Sequence, residues 1–198
     1  MIIGVTGGLA TGTSTAVKCI ASYLKAGIIS ADEIAHSKLK KDKSFIKKLV
    51  LCFGRGVIGK QGSIDRKLLA EKAFSKKANY SKLCQISYPV IIADISNRIK
   101  KFQEQGPKNI VIDGPMLIES GFYKKCDIII VVTASLSLQV QRSAEKRIGP
   151  KDALSRISFQ MPLHKKVNYA DYIIDNSGNL GKLRARCREI GRNIKNKK

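Results

Sequence analysis

The chain has 198 residues, and its 37 Lys and Arg against 15 Asp and Glu give a formal net charge of +22. With 43% hydrophobic and 26% charged residues it has the composition of a globular protein, which argues against wholesale disorder. Its apolar runs fall far short of the ~20 residues that a membrane-spanning helix needs, and its amino terminus lacks the charged and apolar regions of a secretory signal.

The amino-terminal segment has the pattern of a strand–loop–helix–strand unit. The short apolar run 2–6 is followed by Gly7-Gly8, which predicts a buried strand. Apolar residues recur at helical spacing between positions 17 and 24 and predict a helix with one apolar face. A second strand is expected at Ile28-Ile29, so this segment is the start of a βαβ unit.

The rest of the chain continues the alternation after a different middle part. Residues 37–109 are Lys-rich with helical periodicity, and Asp65 is expected to cap a helix that starts near residue 66. Further strands are predicted at 110–113, 127–132 and 172–175, with helices at about 136–147, 151–160 and 180–194.

Strands that alternate with helices predict an α/β fold with a five-stranded parallel sheet covered on both faces. Ligands of such sheets bind at the carboxyl ends of the strands. The candidate ends are Thr6-Gly7, Ser30 to Asp32, and Asp113.

The loop after the first strand matches the phosphate-binding pattern GxxxxGK[ST] in all but one position. Backbone N–H groups and a helix dipole would bind the phosphates there, and Ser14 would hold Mg²⁺. The position of the lysine is occupied by Thr13, and losing one such electrostatic donor costs roughly 10²–10³ in rate. The expected nucleotide-binding residues of this loop are Thr6, Gly7, Gly8, Leu9, Ala10, Thr11, Gly12, Thr13, Ser14 and Thr15.

Charge and cysteine content bear on partners and compartment. The basic excess lies mainly in residues 37–109, with 18 basic against 5 acidic side chains, and in residues 179–198, with 8 against 1. It suits polyanionic partners such as nucleotides or coenzymes, but biased coding composition would produce it as well. Five widely spaced cysteines without a CxxC pair favour free thiols in a reducing cytoplasm over a zinc site or disulfide framework.

Five motifs are spread along the sequence. They are Ile3-Gly4-Val5-Thr6-Gly7-Gly8 with Gly12-x-Ser14-Thr15, Ala31-Asp32-x-Ile34-Ala35, Ile64-Asp65-Arg66-x-x-Leu69, Ile112-Asp113-x-Pro115-x-Leu117-x-Glu119-Ser120-Gly121, and Ala170-Asp171-Tyr172-Ile173-Ile174-Asp175-Asn176-Ser177-Gly178. With these motifs the chain resembles, from end to end, the dephospho-CoA kinase family of P-loop kinases. Gln160-Met161-Pro162 also fits the family's lid region.

The resemblance implies a reaction and a division of the chain. ATP with Mg²⁺ would phosphorylate the ribose 3′-hydroxyl of dephospho-CoA, giving CoA and ADP. Residues 1–36 and 110–198 would form the nucleotide-binding core with a lid at about 136–165, and residues 37–109 would form a helical acceptor-binding insertion. The protein would be a monomer or a small homo-oligomer, with neither a nucleic-acid partner nor a membrane partner.

The resemblance also implies roles for single residues, each with an alternative. Asp32 would accept or orient the hydroxyl proton, or cap the next helix. Arg142 would clamp ATP phosphates from the lid, or lie on a solvated helix face. Arg66 would contact the acceptor, or form a surface ion pair. Asp113, with Thr6, would support the phosphate and metal region, or make structural hydrogen bonds. Asn176 would line the adenine pocket, or form the turn after the fifth strand.

Departures from the family pattern cluster at these functional positions. Thr13 replaces the lysine, Ala10 replaces a loop glycine, Ser30 replaces a first Asp, and Tyr88-Pro89 replaces His-Pro in the acceptor region. The lid also lacks the family's Arg-Asp pair in clear register. Four hypotheses remain: an active dephospho-CoA kinase, a degenerate nucleotide- or CoA-binding relative, a kinase for another small acceptor, and a nucleic-acid-binding module.

Overall fold

A computed structural model describes residues 1–59 and 62–196. The chain divides into two compact units. The first comprises Met1–Ser30 and the chain from Arg98 onward, and the second comprises Ala31–Asn97.

The first unit is built on a five-stranded parallel sheet, as the sequence predicted. The strands are β1 (Ile2–Gly7), β2 (Gly27–Ser30), β3 (Ile110–Asp113), β4 (Ile128–Thr133) and β5 (Tyr172–Asp175). They lie in the order β2-β3-β1-β4-β5. Asp113 pairs in register with both Val5 and Ser30, so the carboxyl ends of β1, β2 and β3 are aligned at one edge of the sheet.

Helices cover both faces of this sheet. The helices of the first unit are α1 (Thr13–Leu24), α6 (Leu136–Glu145), α7 (Pro150–Phe159), α8 (Leu163–Lys166) and α9 (Leu180–Asn196). Alternate residues of a strand point to opposite faces. Ile130 therefore packs in a core shared with Ile20 of α1 and Ile190 of α9, whereas Ile129 packs with Ile118 on the other face.

The second unit is helical and contains α2 (Ala31–Lys41), α3 (Lys43–Phe53) and α4 (Arg66–Ala73). Helix α5 (Lys77–Gln105) begins in this unit and continues through Pro89. Asp42 caps α3 by accepting from Phe45 N, which lowers the pKa of that carboxyl. Asp65 caps α4, as predicted, by accepting from the N–H groups of residues 67 and 68. The core of the unit contains Phe45, Leu49, Phe53, Val57, Ile64, Leu69 and Ala73.

The second unit spans residues 31 to 97, whereas the helical insertion expected from the sequence spans residues 37–109. Helix α2 belongs to the second unit from its first residue, and the last turns of α5 belong to the first unit. Within residues 1–59 and 62–196, no helix is both long and apolar enough to span a membrane.

Candidate nucleotide-binding site

The glycine loop joins the end of β1 at Gly7 to the start of α1 at Thr13, the context that a phosphate-binding loop requires. Gly12 adopts φ +95° immediately before α1. The first N–H groups of a helix have no carbonyl partner within the helix, and the helix dipole makes that end positive. The loop and the first turn of α1 therefore form an anion-binding end at the carboxyl edge of the sheet.

Ala10 adopts a backbone conformation that favours glycine. Its φ is +55°, in the left-handed region, and the residue is buried. A non-glycine residue in that region carries roughly 1–2 kcal/mol of strain. The loop therefore holds Ala10 in a conformation that a glycine would adopt without this strain.

Thr13 lies against the beginning of the loop. A Cβ at Gly7 would be 2.9 Å from Thr13 Cγ2, so the two residues approach too closely for any side chain at position 7. Thr13 also lines the cleft described below. Its short neutral side chain cannot supply the charge that a lysine would bring to this position.

A cleft of about 350 Å³ opens beside the loop. Its size lies in the range of small-molecule sites. Ala10 and Gly12 to Thr15 form one wall, Arg142 and Lys146 approach from the end of α6, and Asn176 lies in the segment after β5. The structure thus brings together five of the ten predicted loop residues with Arg142 and Asn176, which were predicted from other parts of the sequence.

Arg142 is the cleft residue that most favours an anionic ligand. Its Nη1 atom is buried and makes no hydrogen bond within the described residues. A buried guanidinium N–H without a partner is costly, and an anion in the cleft would satisfy it. Glu145 also lines the cleft, so the cleft carries charges of both signs.

Thr6 and Asp113 lie at the sheet edge rather than among the residues that line this cleft. Thr6 is fully buried and its Oγ1 donates to Pro115 O at 3.1 Å. Asp113 is half-buried at the end of β3. Thr6 therefore ties the end of β1 to the segment after β3.

Lys166 is a residue that the sequence analysis missed. Its side chain is completely buried, and Nζ donates to Gly7 O at 2.9 Å, to Pro115 O, and to Glu119 Oε1 at 2.9 Å. Burial lowers the pKa of the Lys166 ammonium, and the Glu119 carboxylate opposes that shift. Because the three N–H groups of the ammonium are all occupied, Lys166 binds the first carbonyl of the loop rather than a phosphate.

A second contact with the loop, from the end of α7, was also missed. Gln160 Oε1, at the end of α7, accepts a hydrogen bond from Leu9 N at 3.1 Å. The neighbouring residue, Met161, donates from its backbone N to Glu119 Oε1 at 3.2 Å. The segment from Gln160 to Lys166 therefore holds the start of the glycine loop.

The remaining predicted residues lie in the second unit. Asp32 is exposed in the first turn of α2, directly after β2 in the chain. Arg66 is exposed at the start of α4, and Tyr88 is half-buried on α5. The pKa of His36 is lowered by the charge of Lys40, by partial burial and by the charge of Arg66. The surface around His36 on α2 and α4 is therefore locally positive.

The described residues contain no group of three or more His, Cys, Asp or Glu side chains that could hold a metal ion. Mg²⁺ in nucleotide sites is bound largely by phosphate and water, with one or two protein ligands. The Ser14 hydroxyl lies at the cleft in the first turn of α1 and suits that limited role.

Known proteins match both the sequence and the fold. The family model described as dephospho-CoA kinase matches residues 1–182. A dephospho-CoA kinase of Lactobacillus johnsonii is 33% identical over 195 residues, which cover 96% of this chain and 98% of the relative. One from Carboxydothermus hydrogenoformans is 37% identical over 180 residues, covering 90% and 87%. A solved structure of dephospho-CoA kinase from Campylobacter jejuni superposes with a TM-score of 0.68 at 28% identity, covering 99% of this chain and 98% of that one.

The loop, its helix and the parallel sheet agree with these matches, which cover nearly the whole chain. The chain belongs to the dephospho-CoA kinase family and has the fold of a P-loop kinase.

Proposed function

We propose that this protein transfers the γ-phosphoryl group of ATP to the ribose 3′-hydroxyl of dephospho-CoA, forming CoA and ADP. The observation that carries the proposal is the cleft beside the glycine loop, into which Arg142 brings a buried guanidinium N–H without a partner. A triphosphate in this cleft would lie against the positive end of α1 and satisfy Arg142.

The first unit supplies the nucleotide contacts. Backbone N–H groups of the loop and the first turn of α1 bind phosphate oxygens, and Arg142 holds them from the opposite wall. Ser14 would hold Mg²⁺, which supplies charge neutralisation between the β- and γ-phosphates when it is bound. These contacts orient the γ-phosphoryl group and stabilise charge on it, which is most of what phosphoryl transfer requires.

The second unit carries the residues proposed for the acceptor. Asp32, exposed at the start of α2, accepts the proton of the attacking hydroxyl or orients that hydroxyl. Arg66 contacts an anionic group of the acceptor, and Tyr88 occupies the position of the family's histidine. The positive surface that lowers the pKa of His36 favours an anionic coenzyme substrate.

The five free thiols suit a reducing compartment, and we place the reaction in the cytoplasm with the protein as a monomer or small homo-oligomer.

One experiment tests the proposed reaction. Purified protein is incubated with ATP, Mg²⁺ and dephospho-CoA, and CoA is followed by mass spectrometry. We expect CoA in the wild type and a large loss in Asp32→Ala. Wild-type CoA no higher than in that variant would overturn the proposal.

Thr13 favours a second candidate, a relative that binds nucleotide but transfers the phosphoryl group inefficiently. Among the described cleft residues the cations are Arg142 and Lys146, and neither extends from the loop itself. The backbone cradle does not depend on the side chain at position 13, so nucleotide binding would persist while transfer slows.

Thr13→Lys separates the two candidates, with Thr13→Met as a control of similar length and no charge. For the weakened relative we expect kcat to rise roughly 10²–10³-fold while the Kd for ATP changes little. A rise below about tenfold would favour an enzyme that is efficient without the lysine. An equal rise in Thr13→Met would show that the missing charge is not what slows the transfer.

A further inference from the structure

Asn176, the residue directly after β5, is hydrogen-bonded to the end of β4 and to the glycine loop. Its backbone N donates to Thr133 O at 2.8 Å, and its side-chain Nδ2 donates to Thr11 O, also at 2.8 Å. The residue is 7% exposed, so water cannot readily replace either bond. The side chain thus connects the end of the sheet to the loop 165 positions earlier in the chain.

The amide group of Asn176 occupies the space that a side chain at position 12 would need. A Cβ built on Gly12 would overlap Asn176 Nδ2, and Gly12 itself has φ +95°. The two residues therefore form a matched pair, in which glycine permits both the backbone turn and the close approach of the amide.

The geometry points to Asn176 as a positioning residue that sets the direction of the loop's phosphate-binding N–H groups. In a planar trans peptide the C=O and N–H groups point in opposite directions. Holding Thr11 O against Asn176 therefore turns the N–H of Gly12 away from Asn176. This inference rests on the proposed function, because it assigns the phosphates of ATP to that loop.

A second contact holds the same turn from within the loop. Thr11 is fully buried, and its Oγ1 donates to Gly8 O at 3.0 Å. Thr11 is therefore held on both sides, with its side chain bound to Gly8 and its carbonyl bound to Asn176. A rigid cradle needs little reorganisation when phosphate binds, which is the condition for effective electrostatic stabilisation.

The inference differs from the sequence-based expectation that Asn176 lines the adenine pocket. An adenine contact would contribute equally to binding of ATP and of adenosine. A residue that orients phosphate-binding N–H groups contributes to ATP binding and not to adenosine binding. The ratio of the two affinities separates these roles.

The experiment measures the Kd of ATP and of adenosine by calorimetry for the wild type, Asn176→Ala and Asn179→Ser. Asn179 is the matched control, because Ser keeps an uncharged side-chain oxygen that can accept from Lys182 N in the same segment. We expect Asn176→Ala to raise the Kd of ATP at least tenfold and to change that of adenosine less than twofold, with Asn179→Ser unchanged. Equal weakening of both ligands, or an unchanged Kd for ATP, would overturn the inference.

Two further variants keep the test decisive if Asn176→Ala does not fold. Asn176→Ser retains a hydroxyl donor on a shorter side chain and is measured in the same way, with an intermediate loss of ATP affinity expected. Gly12→Ala places a Cβ atom against the Asn176 amide. This substitution should therefore raise the Kd of ATP more in the wild type than in the Asn176→Ser background. Equal effects in both backgrounds would contradict the pairing of residues 12 and 176.

The same measurements distinguish failure of this inference from failure of the proposed function. A wild-type protein that forms CoA and binds ATP, with variants that keep the wild-type ratio of affinities, refutes the positioning role alone. A wild-type protein without measurable ATP binding refutes the proposed function.

Discussion

Lys166→Met replaces a completely buried ammonium by an apolar side chain of similar length. The ammonium binds two backbone carbonyls, Gly7 O and Pro115 O, and the carboxylate of Glu119. In the variant, Pro115 O still accepts a hydrogen bond from the Thr6 hydroxyl, and Glu119 Oε1 still accepts one from Met161 N. Gly7 O loses the bond that it accepted from Lys166. The variant therefore leaves the carboxylate of Glu119, whose side chain is only 15% exposed, without its cation.

Removing one member of a buried ion pair costs about 3–5 kcal/mol of folding free energy. We expect Lys166→Met to lose that amount, measured as the free energy of unfolding by urea with circular dichroism detection. Replacing both charges, in Lys166→Met/Glu119→Gln, should recover most of the loss, because no uncompensated charge remains and the Gln oxygen can still accept from Met161 N. The matched control is Lys165→Met, an exposed neighbour expected to change stability by less than about 0.5 kcal/mol.

If Lys166→Met lost no more stability than Lys165→Met, the buried ion pair would not stabilise the fold. The single Glu119 variant supplies a second check. If the stability lost by the double variant equalled the sum of the losses of the two single variants, the two charges would not interact.

Three further predictions concern the loop, a helix cap and Arg142 of α6. Ala10→Gly should raise the free energy of unfolding by roughly 0.5–1 kcal/mol in thermal or urea melts, since relief of left-handed strain exceeds the entropy gained by the unfolded chain; a destabilised variant would contradict this. Asp42→Ala should lose about 1 kcal/mol at neutral pH. The pKa of Asp42 is lowered in the folded protein, chiefly by the hydrogen bond from Phe45 N. The stabilisation by Asp42 is therefore complete above its pKa of 3.8 in the unfolded chain, and it is lost as the pH falls through the folded pKa. A difference between wild type and variant that persists at pH 2 would argue against the cap. Arg142→Leu should raise the Kd of ATP about tenfold or more without changing that of adenosine, and Arg142→Lys should restore binding only in part; wild-type affinity in Arg142→Leu would exclude the clamp.

The sheet and the loop could be predicted because their signals are local. Each strand is a short apolar run next to glycine or a polar residue, and the helix after β1 has its apolar residues at regular spacing. The cap at Asp65 could be predicted for the same reason, since it bonds to N–H groups two and three residues away. Local patterns therefore determine the elements and most of their order.

The support of the loop could not be predicted because its contacts are distant in the chain. Lys165 and Lys166 are adjacent and identical in type, yet one is exposed and the other completely buried. What separates them is packing against Gly7 and Pro115, which lie 159 and 51 positions away. Asn176 was expected at the nucleotide site, but its contact with Thr11 has no signature in the local sequence.

These distant contacts have a consequence for the order in which the protein matures. A ribosome adds about 5–20 residues per second, so Thr11 is made roughly 8 to 33 seconds before Asn176, which lies 165 positions later. During that time the glycine loop exists without the side chains that hold its carbonyls. Affinity for ATP should therefore arise late in synthesis, once β5 has joined the sheet. A nascent chain stalled before Lys166 would carry the complete glycine motif and still lack the nucleotide site.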